Sequence, residues 1–483
     1  MGAHEWQRVL LESLDRTLEH VRELVDRIAE RRVVIRNEVM GSEACGCGSE
    51  AHFPRRTWMK GMAAFGAASW LTPLATVLAR QAETSAAREP ARSVIVLWLQ
   101  GGPSQLETFD PHPNTNIAGG SLAIETRVPG VMLGNGLPRV ADVMDSISLV
   151  RSVTSREGDH ERAVYNIKTG FRPDPTLIHP SIGAIVCRQT EEADQGLVDI
   201  PRHVSILSDQ FPSRGGYMGN RFDPFKTGDP NQPIPDLVRP VDDVRYRKRL
   251  SDLTNVVDRE FARGRIQSPG VGASVARDLT EAALKMMDSD QLAAFDVSNA
   301  TQAQRDAFGD TPFGRGCLAA VRLIETGVRC VEVTLGGWDS HIDNHEIHAG
   351  RNEILDPAYA ALIHELRERD LLDHTVVMCA GEFGRTPTIN ATGGRDHWPH
   401  GFSVALSGGG IQGGRVIGET ASQPKLDPDH PELDIDRPVA VQDIHATVLT
   451  ALGIDPRLEL ITPIGRPMTL TDRGEVIKDL LET

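Results

Sequence analysis

The stretch TVVMCAGEFGRTPTINATGGRDHWPHGFSVALSGGGIQGG, residues Thr375–Gly414, contains two short apolar runs separated by a polar loop. The first run, Thr375–Ala380, stops at Gly381, and the second covers Phe402–Leu406. Both have the length and composition of buried strands. The loop between them carries the charged and imidazole side chains of Glu382, Arg385, Asp396, His397 and His400. Such side chains bind metals and transfer protons, so the stretch predicts a functional loop held by a sheet rather than only a solvated loop with ion pairs.

Apolar strand-like runs alternate with helical patterns along the rest of the chain. The predicted strands are 94–99, 147–153, 204–207, 328–335, 375–380 and 402–406. The predicted helices are 161–169, 180–188, 241–262, 273–287, 314–326, 347–369 and 441–452. Continuous apolar strands that alternate with helices indicate a sheet covered on both faces. The sequence therefore predicts an α/β fold, a mainly parallel sheet sandwiched by helices.

Polar segments follow four of the predicted strands directly, at residues 101–110, 154–160, 336–345 and 381–385. The carboxyl ends of parallel strands meet at one edge of a sheet, where ligands gather, so we expect one shared active-site rim. Asp339 with His341, and Asp396 with His397, are candidate metal-ligand pairs within such segments. Carboxylate oxygen and imidazole nitrogen predict a divalent metal but do not distinguish Zn, Mn, Fe or Ca.

Other polar residues have competing interpretations. Asp110 can order its own loop or bind a metal. His345 and His348 open a predicted helix and are expected at the surface, whereas His445 lies within a predicted helix and is expected to be structural. The run Gly408–Gly414 predicts a glycine turn rather than an anion-binding loop.

Composition excludes some classes of function. The 483 residues carry a formal net charge of −16, which argues against a nucleic-acid partner because phosphate-backbone binding needs a basic face. An acidic chain that handles anionic esters needs local positive charge from a metal or a few arginines. Cys330 and Cys379 lie in apolar runs and are expected to be buried thiols rather than bridges or ligands.

The amino-terminal part resembles a targeting region. Apolar positions within 14–28 recur with heptad spacing, and Arg55-Arg56 precedes the mildly apolar segment 61–79, which resembles a Tat export signal. The late position leaves open a genuine extension or a translation start at Met40, and a plain membrane anchor is the alternative for 61–79. We expect export through the Tat machinery to the periplasm or beyond, with membrane contact only during export. The expected division is an extension (1–53), a signal segment (54–82), a linker (83–91) and one large domain (92–483).

Five motifs carry a resemblance to a known family. They are GGPSQLETFDP (101–111), RSVT followed by GDH (151–160), GGWDSH (336–341), GEFGRTP (381–387) and GRDHWPHGFSVALSGGG (394–410). Together they resemble the DUF1501 family, exported proteins grouped with the alkaline phosphatase and sulfatase superfamily. The resemblance implies an alkaline phosphatase-like fold and a metal-dependent hydrolase of phosphate or sulfate esters, acting on a small-molecule or glycan ester.

The chain departs from the superfamily pattern at three positions. The usual nucleophile position holds His160, the first-strand metal Asp falls near Gln100, and an Asp-His pair becomes Glu382-Phe383. These departures leave open a second hypothesis, a non-catalytic member that binds a glycan, an anion or a partner protein in the same crevice.

The resemblance, adjusted for these departures, implies a set of site residues. The implied metal ligands are Asp339, His341, Glu382, Asp396 and His397. His160, beside Asp159 at a predicted helix start, is expected to be a further ligand or a nucleophile. Arg385, with Arg162 as a second candidate, is expected to stabilise charge on the transferred group.

Overall fold

The computed structural model describes residues 88–194, 196–237, 239, 241–264, 271–427 and 429–482. One compact unit covers Arg88–Thr483. The predicted heptad helix, the Tat-like segment and residues 83–87 of the linker lie outside the described residues, so they remain predictions. No helix in the described ranges is both long and apolar enough to cross a membrane.

Short strands and a central set of longer ones make up the β-structure. In chain order they are β1 (Ser93–Leu99), β2 (Ala123–Glu125), β3 (Met132–Gly134), β4 (Ile147–Thr154), β5 (His203–Ile206), β6 (Phe225–Thr227), β7 (Cys330–Leu335), β8 (Thr375–Ala380), β9 (Gly384–Arg385), β10 (His397–Trp398), β11 (Phe402–Ser407), β12 (Val416–Ile417), β13 (Glu419–Thr420), β14 (Ile435–Asp436), β15 (Val439–Ala440), β16 (Glu459–Ile461) and β17 (Pro467–Thr469).

The main sheet has the strand order β12-β4-β11-β8-β1-β7-β5-β6, and β15 also pairs with β4. All of these pairings are parallel except those of β11, which runs antiparallel to β4 and β8. At the carboxyl end of β1, Trp98 lies opposite Ala380 and Leu99 lies opposite Leu335. The predicted mainly parallel α/β sheet is confirmed.

Helices cover both faces of this sheet. They are α1 (Pro138–Asp142), α2 (His160–Thr169), α3 (Ile182–Gln189), α4 (Asp243–Gly264), α5 (Val271–Met287), α6 (Gln302–Phe308), α7 (Pro312–Thr326), α8 (Asn344–Glu368) and α9 (Val441–Ala451). Alternate residues of β1 enter different cores. Ile95 and Leu97 pack with α7 and α8, whereas Val94 and Val96 pack with α2, α3 and α9. This alternation explains why the strand reads as a continuous apolar run.

Local sequence signals set the helix ends. Thr311 caps α7 by accepting a hydrogen bond from the Gly314 N–H, and Pro312 follows at the first helical position. Gly327 ends the same helix in the left-handed region, at φ 106°. The turn that follows delays the strand predicted from residue 328, so that β7 begins at Cys330.

One expectation about surface exposure is wrong. His345 is exposed as predicted, but His348 is buried, with 1 % of its surface exposed. Its ring lies beneath the segment after β1, where Nε2 accepts a hydrogen bond from the Ser104 N–H at 2.7 Å. The expectation failed because α8 turns this histidine toward that segment rather than toward solvent.

Other structural predictions are confirmed. Cys330, Cys379 and His445 are buried. The segment after β11 turns through Gly408–Gly410, where all three glycines have positive φ, and the Gly409 N–H donates to the Leu372 carbonyl.

Candidate metal centre

The polar segments predicted to share one rim do lie together. His160 is the first residue of α2, shortly after β4, and Asp339 and His341 follow β7. Glu382 follows β8, and β10, which contains His397, precedes the antiparallel β11. We call this group the crevice, defined by His160, Asp339, His341, Glu382, Asp396 and His397.

Glycine allows the segments after β1 and β7 to approach closely. Gly101 has φ +118°, and a Cβ added there would lie 2.6 Å from the backbone nitrogen of Asp339. The Gly101 N–H donates to Glu382 Oε1 at 2.9 Å. The β1 segment therefore supports the crevice from below through its backbone.

All three crevice imidazoles are held in the same way, through Nδ1. His160 Nδ1–H donates to Glu382 Oε1, His341 Nδ1–H to Asp396 Oδ1 and His397 Nδ1–H to the Gly158 carbonyl, each at 2.8 Å. A carboxylate or carbonyl oxygen accepts only from a protonated nitrogen, so these partners leave the Nε2 lone pair free in each neutral ring.

The free Nε2 atoms gather around the Asp339 carboxylate. His160 Nε2 lies 3.4 Å from Asp339 Oδ2. The Nε2 atoms of His341 and His397 lie 3.3 and 3.4 Å from Oδ1 and 3.0 Å from each other. Two lone pairs at that distance repel unless a proton or a cation lies between them.

The separations among His160, Asp339 and His397 fit a shell of metal ligands, and His341 lies beside that group. Bond lengths of about 2.0–2.1 Å place neighbouring ligand atoms of a tetrahedral site about 3.3 Å apart. One ligand atom each from His160, Asp339 and His397 lie within 4.8 Å of one another. Imidazole Nδ1 groups held by carboxylates or carbonyls are also the usual support of metal-binding histidines. The residues present therefore fit a divalent cation.

Arg385 orients the Asp339 carboxylate from behind. Its side chain is fully buried, and its guanidinium donates to Asp339 Oδ1 at 2.6 Å. The other donors reach the carbonyls of Gly101, Gly102 and Arg395. Burial alone would raise the pKa of Asp339, but the hydrogen bond and charge of Arg385, together with the nearby imidazoles of His160 and His341, hold that pKa below its usual value.

The crevice imidazoles differ in their electrostatics. The hydrogen bond to Glu382 raises the pKa of His160, whereas burial lowers the pKa of His397. Phe383 lies beside both rings, with centroid distances of 5.0 Å to His160 and 4.3 Å to His397. This aromatic wall keeps the two rings close together on one side of the crevice.

Glu382 and Asp396 lie one step behind the converging Nε2 atoms, on the Nδ1 side of the rings. Glu382 is buried, and its Oε2 has no hydrogen-bond partner among the residues that the structure describes. The structure thus brings together all five predicted ligands and His160. Asp339 and the three imidazoles face one another, whereas Glu382 and Asp396 lie behind the imidazoles.

Asp159 and Arg162 have other partners. Asp159 is the N-cap of α2, where its carboxylate accepts from the Arg162 N–H at 3.2 Å. The Arg162 side chain donates to Glu157 at 2.6 Å. Sequence reasoning missed the Gly158 carbonyl that holds His397, because a backbone acceptor has no residue-type signal.

The fold has distant likenesses among solved structures. Ps i-CgsB gives a TM-score of 0.37 at 10% identity, over 76% of this chain and 73% of that chain. The PsFucS1 sulfatase from Pseudoalteromonas sp. gives 0.35 at 13%, over 78% and 70%. The alkaline phosphatase from the Antarctic bacterium TAB5 gives 0.32 at 13%, over 76% and 99%. At these scores the likenesses carry no function over to this chain.

No curated protein matches the chain. A family model, described as a protein of unknown function (DUF1501), matches residues 91–481, which include all five motifs and every crevice residue. The chain therefore belongs to the DUF1501 family.

Proposed function

We propose that the crevice binds a divalent cation through the Nε2 atoms of His160, His341 and His397 and the Asp339 carboxylate, and that the protein is a metal-dependent hydrolase of phosphate or sulfate esters. The observation that carries the proposal is the shared use of Nδ1. Because all three rings donate Nδ1–H to an acceptor, each neutral ring keeps a free lone pair at Nε2. Ligand atoms of His160, His397 and Asp339 lie within 4.8 Å of one another, and His341 Nε2 lies beside His397 Nε2 and Asp339 Oδ1.

Each surrounding residue then has a defined task. Glu382 and Asp396 fix the tautomers of His160 and His341 as supporting groups, and Arg385 positions Asp339. Three imidazoles and one carboxylate suit Zn, Mn or Fe better than Ca, which prefers oxygen ligands.

A cation bound there supplies Lewis acidity toward an ester oxygen. Asp339 and His341 have 47% and 46% of their side-chain surfaces exposed, so a small-molecule or glycan ester can approach from solvent on that side. His160 and His397 are less exposed and form the inner wall with Phe383. In this arrangement His160 acts as a ligand rather than as the nucleophile.

A second function is favoured by the placement of the two arginines expected to stabilise the transferred group. Arg385 is buried behind Asp339, and Arg162 pairs with Glu157. An anion in the crevice would then meet charge mainly from the cation itself. This favours a non-catalytic member that binds a glycan, an anion or a partner protein through the same centre.

The experiment is a cation count on purified full chain with phosphate and sulfate ester hydrolysis measured on the same samples. Wild type is compared with the double variant His341→Ala/His397→Ala, and with His364→Ala as a matched control at an exposed histidine of α8. We expect one more cation per wild-type chain than per double-variant chain, with hydrolysis lost in the double variant only.

Two other results would change the conclusion. A cation difference without hydrolysis of either ester class would support the binding function. Equal cation counts in all three proteins, with no hydrolysis after cation addition, would contradict a metal centre in the crevice.

Export is a separate part of the proposal and is supported by Arg55-Arg56 ahead of the segment 61–79. Replacing both arginines by lysine keeps the charge but removes the twin-arginine motif. We expect the variant to remain in the cytoplasmic fraction, while wild type is recovered from the periplasm or medium. Equal distribution of the two proteins would contradict Tat export.

A further inference from the structure

A second cluster of metal-binding side chains lies outside the crevice. It joins Asp110 and His112, in the segment after β1, to Glu419 of β13. One ligand atom from each of the three residues lies within 4.8 Å of the other two. We call this group the β13 cluster.

Two buried polar atoms of the cluster lack a hydrogen bond. Asp110 is fully buried, and its Oδ2 accepts from the Thr420 N–H at 2.8 Å. Within the described part of the chain, neither Asp110 Oδ1 nor His112 Nε2 forms a hydrogen bond. The two atoms are only 3.3 Å apart, and the His112 side chain is 9% exposed. A buried polar atom without a hydrogen bond costs free energy, and a cation between these two atoms would satisfy both.

Arg151 does not fill this role. Its guanidinium NH1 lies 3.7 Å from Asp110 Oδ1, which is beyond hydrogen-bond distance, and its NH2 donates to the Met132 carbonyl at 2.6 Å. The two carboxylates of the cluster carry more negative charge than one guanidinium cancels. With Arg151 included, the cluster therefore keeps a net negative charge that attracts a cation.

We propose that the β13 cluster is a second, independent site for a divalent transition cation, held by Asp110, His112 and Glu419. Imidazole nitrogen and carboxylate oxygen are both ligand types that Zn and its neighbours bind, and these three residues supply three ligand atoms. The proposal does not depend on the function proposed for the crevice.

The position of the cluster gives its bound cation a structural role. Asp110 N–H donates to the Gln105 carbonyl at 2.7 Å, and the Gln105 side chain bonds both the N–H and the carbonyl of Arg385. A cation on Asp110 and Glu419 would tie this segment to β13 and so fix the base of the crevice. Occupancy therefore stabilises the fold in addition to any effect on the crevice.

The experiment removes the crevice site first. In full chain carrying His341→Ala/His397→Ala, Zn²⁺ binding is measured by equilibrium dialysis and thermal unfolding is followed with and without Zn²⁺. We expect one Zn²⁺ per chain and a higher unfolding temperature with Zn²⁺. Adding Glu419→Gln or His112→Gln should weaken binding by at least about tenfold and abolish the shift.

Glu459→Gln is the matched control, because Glu459 is an exposed carboxylate on a short strand of the same kind. Glu419 is itself exposed, so we expect the Glu419→Gln chain to fold like wild type, which circular dichroism checks. No Zn²⁺ bound in the crevice-deficient chain, or binding unchanged by Glu419→Gln, would overturn the proposal. Failure of the crevice centre alone would leave Zn²⁺ bound here, so the two proposals fail separately.

Discussion

The histidines of the crevice and those of the core use their ring nitrogens in different ways. In the crevice, Nδ1 is tied to a fixed acceptor and Nε2 faces a carboxylate and other imidazoles. In the core, His348 donates from Nδ1 to the Asn344 carbonyl and accepts at Nε2 from the Ser104 N–H, so the backbone uses both nitrogens. His445 donates from Nε2 to the Ile167 carbonyl at 2.8 Å.

This difference shows that residue type alone does not identify a ligand. Burial lowers the pKa of His348 and His445 to about 4, so both stay neutral and serve packing. The hydrogen bond to Glu382 raises the pKa of His160 instead. The nitrogen that the fold leaves free, and the group that it faces, separate a candidate ligand from a structural histidine.

The greatest difference is expected between one crevice histidine and one core histidine, each replaced by alanine. His397→Ala should weaken cation binding in the crevice by more than about 100-fold, beyond the loss expected for a supporting group, and change the cation-free stability little. His445→Ala should leave cation affinity unchanged but lower the free energy of unfolding by about 2–4 kcal/mol, because it leaves a cavity and an unpaired carbonyl.

Chelator competition and urea unfolding measure the two quantities. Both are run in a Glu419→Gln background, so that only the crevice binds the cation. Equal losses of affinity in the His397→Ala and His445→Ala chains would show that the crevice histidine acts through the fold alone.

The next prediction concerns Glu382, the carboxylate that supports the candidate ligand His160. Glu382→Gln keeps the size of the side chain but replaces the carboxylate that accepts from His160 Nδ1–H and Gly101 N–H. We expect cation affinity to fall by about 10–100-fold, because the imidazole loses its fixed tautomer and part of its basicity. Unchanged affinity would mean that Glu382 serves packing only.

Sequence reasoning predicted the fold well because its signals are local. The run Thr375–Ala380 is apolar throughout and stops at a glycine, and the strand has these same bounds. Predicted strand ends also placed the four polar segments at one edge, which the sheet order confirms. The burial of His348 was missed because the partner that covers it, Ser104, comes from a segment far away in the chain.

The sequence predicted which residues form the candidate site but not which of them face the cation and which support the ligands. Asp339 and His341 lie in the loop after β7, and His397 lies in the two-residue strand β10 within the long segment between β8 and β11, where spacing identifies them. Nothing in the sequence separates a ligand from the carboxylate behind it, so Glu382 received the same role as Asp339. Long-range pairs such as Asp110 with Glu419 leave no pattern in a single sequence.

The pH dependence of the free energy of unfolding tests whether the core histidines stay neutral in the folded chain. A histidine whose pKa falls from 6.5 to about 4 on folding contributes stability that is complete above pH 6.5 and is lost as the pH falls toward 4. His348 and His445 should each add roughly 1 kcal/mol per pH unit to the slope in that window. Chemical unfolding of cation-free protein between pH 4 and 7 measures this slope. His445→Gln should remove about half of the slope that His348 and His445 contribute together. A slope unchanged by His445→Gln would show that the ring titrates alike in the folded and unfolded chains.

The smallest expected effect compares two supporting carboxylates. Asp396 accepts from His341 Nδ1–H but has 57% of its side chain exposed, whereas Glu382 is buried. Water can replace the acceptor at an exposed position, so Asp396→Asn should weaken cation binding by about tenfold or less and by less than Glu382→Gln does. Chelator competition on the two variants side by side measures the difference. If Asp396→Asn had the larger effect, exposure would not govern the strength of support, and Asp396 would have to bind the cation itself.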